Sequence, residues 1–131
     1  MLRHQESAGV ALINRPVRTM PRDELSQKLA RGEPVKLVMA LNAWAFRAKH
    51  IPGSLHFDTE EAVLANLRRD DEVIVYCSNV ACHASIALYH ALVDHGFTNV
   101  RRYDGGIADW EAAGLPLEGA WIKGSASAAA S

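Results

Sequence analysis

The stretch of sequence that decides the fold is residues 73–96, VIVYCSNVACHASIALYHALVDHG. Its first four residues are β-branched or aromatic and follow an acidic turn, which is typical of a buried strand. The apolar residues of its second half suit a helix that ends at Gly96, because glycine is favoured just after a helix end. The stretch therefore predicts a strand, a loop that begins at Cys77, and a helix.

Strand and helix patterns alternate on both sides of this stretch. Short apolar or β-branched runs favour strands, and capping residues with acidic first turns favour helices. We predict strands over residues 35–40, 55–57, 73–76 and 100–103, and helices over residues 21–32, 43–48, 59–67, 86–95 and 107–113. This alternation is typical of an α/β fold with a largely parallel sheet.

Length and composition indicate one globular domain. The chain has 131 residues, of which 49% are apolar and 22% charged, so it is neither disordered throughout nor collagen-like. We predict an N-terminal extension at residues 1–16, a single domain at 17–119 and a flexible C-terminal tail at 120–131. The sequence shows no membrane span and no signal-peptide pattern, so we expect a cytoplasmic protein.

The charge balance and the cysteine count narrow the function. Fourteen Lys and Arg residues against 15 Asp and Glu residues give a net charge of -1, so we expect neither nucleic acid nor a membrane as partner. The only two cysteines, Cys77 and Cys82, are too few for the disulfide framework of a small secreted domain. We therefore favour a chemical role for reduced thiols over a structural role for disulfides.

Cys77 occupies a position that favours reactivity. It follows a strand at the edge where parallel sheets bind their ligands, and its loop leads into a helix. Backbone N–H groups and a helix N-terminus stabilise an anion, so we predict a lowered pKa for the Cys77 thiol and a nucleophilic role. The alternative is a buried cysteine that only fills space in the core.

Three segments in order along the chain resemble the rhodanese-like domain, the sulfurtransferase family. They are HIPGS at residues 50–54, VYC at 75–77 and YDGGIADWEAAGLPLE at 103–118. The resemblance spans residues 18–118. It implies an α/β fold with a single rhodanese-like domain, whose central parallel sheet of about five strands is flanked by helices on both faces.

The resemblance also implies a reaction. Cys77 would be the catalytic residue, forming a persulfide from thiosulfate or a persulfide donor and passing the sulfur to a thiol or cyanide. A sulfur-carrier protein is a further candidate acceptor, and we expect neither a cofactor nor a metal. The loop residues that would bind the substrate are Ser78, Asn79, Val80, Ala81, Cys82 and His83.

The sequence departs from the commonest family pattern at the loop and at the first strand. Residues 71–100 contain no Lys or Arg, so thiosulfate is expected to be a poor donor. Met39 and Leu41 stand where the family often has an Asp-x-Arg pair, which removes a polar network beside the loop. The loop is also longer than usual and carries the second cysteine.

Several residues have two interpretations. Cys82 is either a resolving thiol for Cys77 or a small space-filling residue. His83 either hydrogen-bonds an anion or is solvated in the first helical turn. Arg101 and Arg102 either supply the missing positive charge or, by default, form a solvated pair.

Two other functions, and a zinc site, compete with sulfur transfer. A cysteine phosphatase needs an arginine at the sixth position after its cysteine, where this chain has His83, and imidazole cannot replace the guanidinium fork. A zinc site is disfavoured because the spacing of cysteine and histidine does not match paired ligand motifs. The stronger rival is a low-activity rhodanese-like module that binds a partner or senses oxidants.

Overall fold

The computed structural model describes residues 16–79 and 81–122. Over these residues the elements are α1 (Arg22–Ala30), β1 (Lys36–Met39), α2 (Ala43–Ala48), α3 (Glu60–Asn66), β2 (Val73–Tyr76), α4 (Ala84–Asp94), β3 (Val100–Tyr103) and α5 (Gly106–Ala112). All five predicted helices and three of the four predicted strands are confirmed, with ends that agree within two residues. None of the helices in this described part has the length and apolarity needed to cross a bilayer.

The three strands form one parallel sheet in the order β1-β2-β3. Thr19 adds a single parallel bridge to Arg102 at one edge, and Leu55 adds one to Val38 at the other. Pro21 has no N–H with which to continue the first of these pairings. Within the described residues the sheet thus has three strands, so the five strands implied by the resemblance are not confirmed, and the strand predicted at 55–57 is only a bridge.

Helices cover both faces of the sheet, as predicted. On one face Tyr76 is buried with Leu25 of α1 and Trp110 of α5. On the other face Val75 is buried with Leu92 of α4. Each such aliphatic side chain contributes about 1.5–3 kcal/mol when fully buried. Helices on both faces therefore fix the position of the central strand β2. The residue that follows this strand, Cys77, is fixed with it.

The C-terminal segment, residues 115–122, packs against the end of α2. The Trp121 amide donates to the Ala48 carbonyl at 3.0 Å. Gly119 permits this close approach, because its φ is +136° and a Cβ there would clash with the same carbonyl. Residues 120–122, which belong to the predicted tail, thus pack against α2 and the adjoining core in this structure. The rest of the predicted tail, and residues 1–15 of the predicted extension, lie outside the described residues.

Tyr76 ties the central strand to the turn at residues 50–54. Its hydroxyl accepts a hydrogen bond from the Ile51 amide at 3.0 Å and bonds the Ser54 hydroxyl at 2.8 Å. Burial raises the pKa of Tyr76 to about 12, so the hydroxyl stays protonated at neutral pH. Two buried hydrogen bonds therefore join this turn to the residue before Cys77.

We expect Tyr76→Phe to lower the free energy of unfolding by about 1–3 kcal/mol, because the buried Ile51 amide loses its acceptor. Urea denaturation measures the change. Tyr89→Phe is the matched control, since the Tyr89 hydroxyl accepts from the amide of the exposed Arg18, which water can satisfy. Equal losses in the two variants would contradict the prediction.

Candidate active site

The loop between β2 and α4 starts at Cys77 and ends at His83, the N-cap residue of α4. It lies at the carboxyl end of the central strand, the position at which parallel sheets bind ligands. Of its predicted binding residues, Ser78 is half-buried, whereas Asn79, Ala81 and His83 are exposed. Val80 lies outside the described residues. The described loop residues therefore follow β2 at the carboxyl edge of the sheet, and most of them are exposed to solvent.

A disulfide joins Cys77 to Cys82 across this loop, with the two Cα atoms 6.2 Å apart. That separation lies within the usual range for a disulfide. Cys77 is 1% exposed, whereas Cys82 is half-buried. The pairing that the sequence left open is thus made in this structure. In this oxidised form Cys77 is shielded from solvent and has no thiolate.

The backbone of α5 holds the start of the loop. The Ile107 amide donates to the Cys77 carbonyl at 3.0 Å, and the Ala108 amide donates to the Ser78 carbonyl at 2.8 Å. Gly106 makes this approach possible, because it has φ +66° and its Cβ position would lie 2.5 Å from the Cys77 carbonyl oxygen. The sequence analysis did not identify this contact, although the pair Gly105-Gly106 at the start of α5 is the signal that carries it.

Two amides of the loop are used within the loop itself. The Ala81 amide donates to the Asn79 side-chain oxygen at 2.9 Å, and the Cys82 amide donates to the Asn79 carbonyl at 3.1 Å. Asn79 therefore organises the turn through both of its oxygens. In the disulfide form these two amides stabilise the loop instead of facing a bound anion.

Arg102 supplies a positive charge from β3, which lies next to β2. Its Nε donates to the Ser85 hydroxyl at 2.7 Å and its Nη2 to the Cys82 carbonyl at 3.2 Å. The residue is 6% exposed, so the default prediction of a solvated pair is wrong for it. Side chains two apart on a strand share a face, and Val100 points to the same side. That alternation is the signal that could have identified Arg102.

Arg101 points to the other side of the strand and serves a different contact. Its guanidinium binds both carboxylate oxygens of Glu24 in α1, at 2.6 and 2.9 Å. This hydrogen-bonded guanidinium lowers the pKa of the Glu24 carboxyl. Arg101 therefore stabilises the packing of α1 against the edge of the sheet.

We expect Arg102→Gln to lower the free energy of unfolding by about 2–3 kcal/mol, because a buried hydroxyl and a carbonyl of the loop lose a charged donor. Arg101→Gln is the matched control and should cost about 1 kcal/mol or less, since its partner Glu24 is partly exposed. Chemical denaturation measures the free energy of unfolding of both variants. A smaller loss for Arg102 than for Arg101 would contradict the assignment.

Two cavities lie near this edge of the sheet. One of about 210 Å³ is lined by Ser78, the residue after Cys77, and otherwise mostly by apolar side chains. The other, about 330 Å³, lies between residues 38–43 and 56–60, with Val63 and Leu88 completing its wall. Of these two cavities, the smaller is lined by a residue of the cysteine loop.

Fold and site together define a class of protein: a parallel α/β domain with a cysteine loop between its central strand and the following helix. The family model described as the rhodanese-like domain matches residues 21–113. The chain belongs to the rhodanese-like domain family.

Curated relatives support this assignment at modest identity. An HTH-type transcriptional regulator, Rv0324, of Mycobacterium tuberculosis is 32% identical over 113 residues, which cover 85% of this chain and 49% of that protein. A thiosulfate sulfurtransferase of Corynebacterium glutamicum is 33% identical over 122 residues, or 80% of this chain and 36% of that protein. The chain thus spans half or less of the length of these two relatives.

A solved structure shares the fold. The crystal structure of the BH2092 protein from Bacillus halodurans superimposes with a TM-score of 0.74 at 22% identity, covering 89% of this chain and 88% of that one. At this identity the likeness shows the architecture alone. The chemistry has to be argued from the cysteine loop of this chain.

Proposed function

We propose that this chain is a sulfurtransferase in which Cys77 takes a sulfane sulfur from a donor and passes it on as a persulfide. The observation that carries the proposal is the position of Cys77, at the carboxyl end of the buried strand β2 and one loop before α4. Membership of the rhodanese-like family and a relative named thiosulfate sulfurtransferase support it. The donors are thiosulfate or a persulfide, and the acceptors are a thiol, cyanide or a sulfur-carrier protein.

The proposed reaction has two balanced steps. The Cys77 thiolate attacks the terminal sulfur of thiosulfate, the sulfur–sulfur bond breaks, and sulfite leaves with the electron pair. Cyanide then takes the terminal sulfur of the Cys77 persulfide as thiocyanate and restores the thiolate. The residues proposed to surround the transferred sulfur are Ser78, Asn79, Val80, Ala81, Cys82 and His83.

Positive charge from two sources supports an anionic sulfur at this place. The N-terminus of α4, a helix of 11 residues, carries partial positive charge directly after the loop. The guanidinium of Arg102 lies under the same loop, bonded to the Cys82 carbonyl. Arg102 is a positioning residue in this proposal, because it fixes the loop and does not touch the reacting sulfur.

Reduction has to precede sulfur transfer, because Cys77 is buried in a disulfide. An external thiolate can reach the half-buried Cys82 and attack its sulfur, so that Cys77 leaves as the thiolate. A second thiol then frees Cys82 and carries away the first as a disulfide. Two thiols are thereby oxidised to one disulfide for each reduced loop.

The test is to load the reduced protein with sulfur. The protein is treated with a thiol reductant, freed of it, and incubated separately with thiosulfate and with a low-molecular-weight persulfide. Intact-mass measurement should show a gain of one sulfur atom that cyanide removes as thiocyanate. The absence of this gain with every donor would overturn the proposal.

A second candidate is a redox-sensing or binding module that transfers little sulfur. The disulfide that shields Cys77 is the observation that favours it. Such a module would cycle between the dithiol and the disulfide with oxidants and thiols, yet show no sulfur gain. The loading experiment therefore separates the two candidates.

A further inference from the structure

We propose that the larger cavity binds a small organic cation, a primary ammonium carried on a short apolar chain. The observation behind the inference is a buried histidine nitrogen, His56 Nδ1, which lies beside Asp58 in the wall of this cavity. The site is separate from the proposed sulfur transfer, because none of the described residues that line it belongs to the cysteine loop.

The cavity lies at a place in the fold where ligands bind. It adjoins the carboxyl end of β1, the strand next to β2, and parallel sheets bind their ligands at that edge. Its volume of about 330 Å³ is at the lower end of the range for small-molecule sites. Since a cavity of about 150 Å³ already holds benzene, a ligand somewhat larger than benzene fits here.

His56 presents an acceptor nitrogen that the protein itself leaves unused. Its side chain is 10% exposed, and its Nε2 lies 2.7 Å from the Leu41 carbonyl oxygen. A carbonyl can only accept, so Nε2 carries the ring proton and Nδ1 of the neutral imidazole is an acceptor. Within residues 16–79 and 81–122, no donor lies within hydrogen-bond distance of this Nδ1. A buried acceptor of this kind calls for a donor from a ligand or from water.

Asp58 supplies a second acceptor for the same donor. Its Oδ1 lies 3.8 Å from His56 Nδ1, too far for a hydrogen bond between the two atoms. One ammonium nitrogen can lie about 2.8 Å from both atoms and donate to each of them. A primary ammonium has three N–H donors on one nitrogen, whereas a hydroxyl has one O–H donor. The pair therefore favours an amine over an alcohol.

The charges of the lining disfavour an anion. The lining contains the carboxylates of Asp58 and Glu60, and no Lys or Arg is among its described residues. Glu60 is already 3.2 Å from the His95 ring, so Asp58 is the carboxylate available to a ligand. Two helices begin at this cavity, but the side chains of Asn42 and Thr59 each accept from an amide of the first turn. An anion would lose its hydration here without gaining an ionic partner.

The inner wall of the cavity is apolar. Val38, Met39 and Val63 are each 3% exposed or less, and Leu88 of α4 is half-buried. An alkyl chain that leaves water for such a surface gains about fourfold in affinity for each buried methylene. The ligand is therefore expected to combine an ammonium head with an alkyl or aromatic body.

The experiment titrates the isotopically labelled full chain, in its disulfide form, with ethyl-, butyl- and hexylammonium at constant ionic strength. In nuclear magnetic resonance spectra, butylammonium should shift the amides of residues 40–43 and 56–60, and the affinity should rise about fourfold for each added methylene. Asp58→Asn should weaken binding by about tenfold or more, because a charged hydrogen bond is lost. Asp70→Asn, an exposed site in the turn before β2, is the matched control and should leave the affinity unchanged.

The ring nitrogens of His56 give a second readout. Nδ1 should resonate as an unprotonated nitrogen in the unliganded protein and should shift as butylammonium binds. Butyrate and butanol should leave the same amides unshifted at the concentrations at which butylammonium binds. The inference is overturned by an Nδ1 that already carries the ring proton, by equal binding of butyrate or butanol, or by equal affinities of the two Asp variants. None of these results bears on sulfur loading, which is measured separately.

Discussion

Replacing Cys77 with serine is expected to abolish sulfur loading from every donor, a loss of roughly a thousandfold or more in rate. A serine hydroxyl cannot form the sulfur–sulfur bond on which the proposed reaction depends, and its alkoxide is not available at neutral pH. Intact mass of the reduced variant after incubation with donor measures the effect. The fold should be unchanged, because serine and cysteine are close in size.

Cys82→Ser is the matched control for this variant. It removes the same disulfide but leaves Cys77 as a free thiol, so it should load with sulfur even without prior reduction. The comparison assigns the persulfide to one of the two cysteines. Loading of the Cys77→Ser variant, with none in Cys82→Ser, would move the reacting sulfur to Cys82 and refute the assignment.

Gly106→Ala is expected to have the second largest effect, a loss of about 2–4 kcal/mol in the free energy of unfolding together with slower loading. Two costs add: alanine is disfavoured at φ +66°, and its Cβ would lie 2.5 Å from the Cys77 carbonyl oxygen and 2.9 Å from the Asn79 amide nitrogen. Both neighbours are backbone atoms of the cysteine loop, so relief requires the loop to move.

Gly114→Ala separates these two costs. Gly114 ends the same helix with φ +75°, yet its Cβ position has no heavy atom within 4 Å. It should therefore show only the conformational cost, about 1–2 kcal/mol, and normal loading. Denaturation curves and loading rates of the two variants test this. If both variants lose the same stability and load alike, the contact between α5 and the loop does not position Cys77.

The local pattern of the sequence was sufficient to place Cys77. Residues 73–76 form a strand because they are β-branched and aromatic, and a cysteine directly after a buried parallel strand lies at the ligand-binding edge. The same local logic places the start of the helix predicted at 59–67, where Thr59 is the N-cap and its hydroxyl accepts from the Ala62 amide at 3.0 Å.

The partners of the loop could not be predicted in this way, because they come from distant parts of the chain. Gly106 and Arg102 contact the loop only when β3 lies beside β2. No sequence pattern near Cys77 predicts that pairing. Arg102 was misassigned because arginine is seldom buried, so its default position is the surface. The disulfide depends on the oxidation state of the thiols, which the amino-acid sequence does not encode.

The disulfide between Cys77 and Cys82 affects how Cys77 responds to oxidative damage. A free low-pKa thiol exposed to peroxide proceeds through sulfenic acid to sulfinic and sulfonic acids, which thiols cannot reverse. The Cys77 sulfur is bonded to Cys82 and its residue is 1% exposed, so it is protected from that oxidation. The disulfide form would therefore preserve the Cys77 sulfur, because thiols can reduce this bond again once the peroxide has been removed.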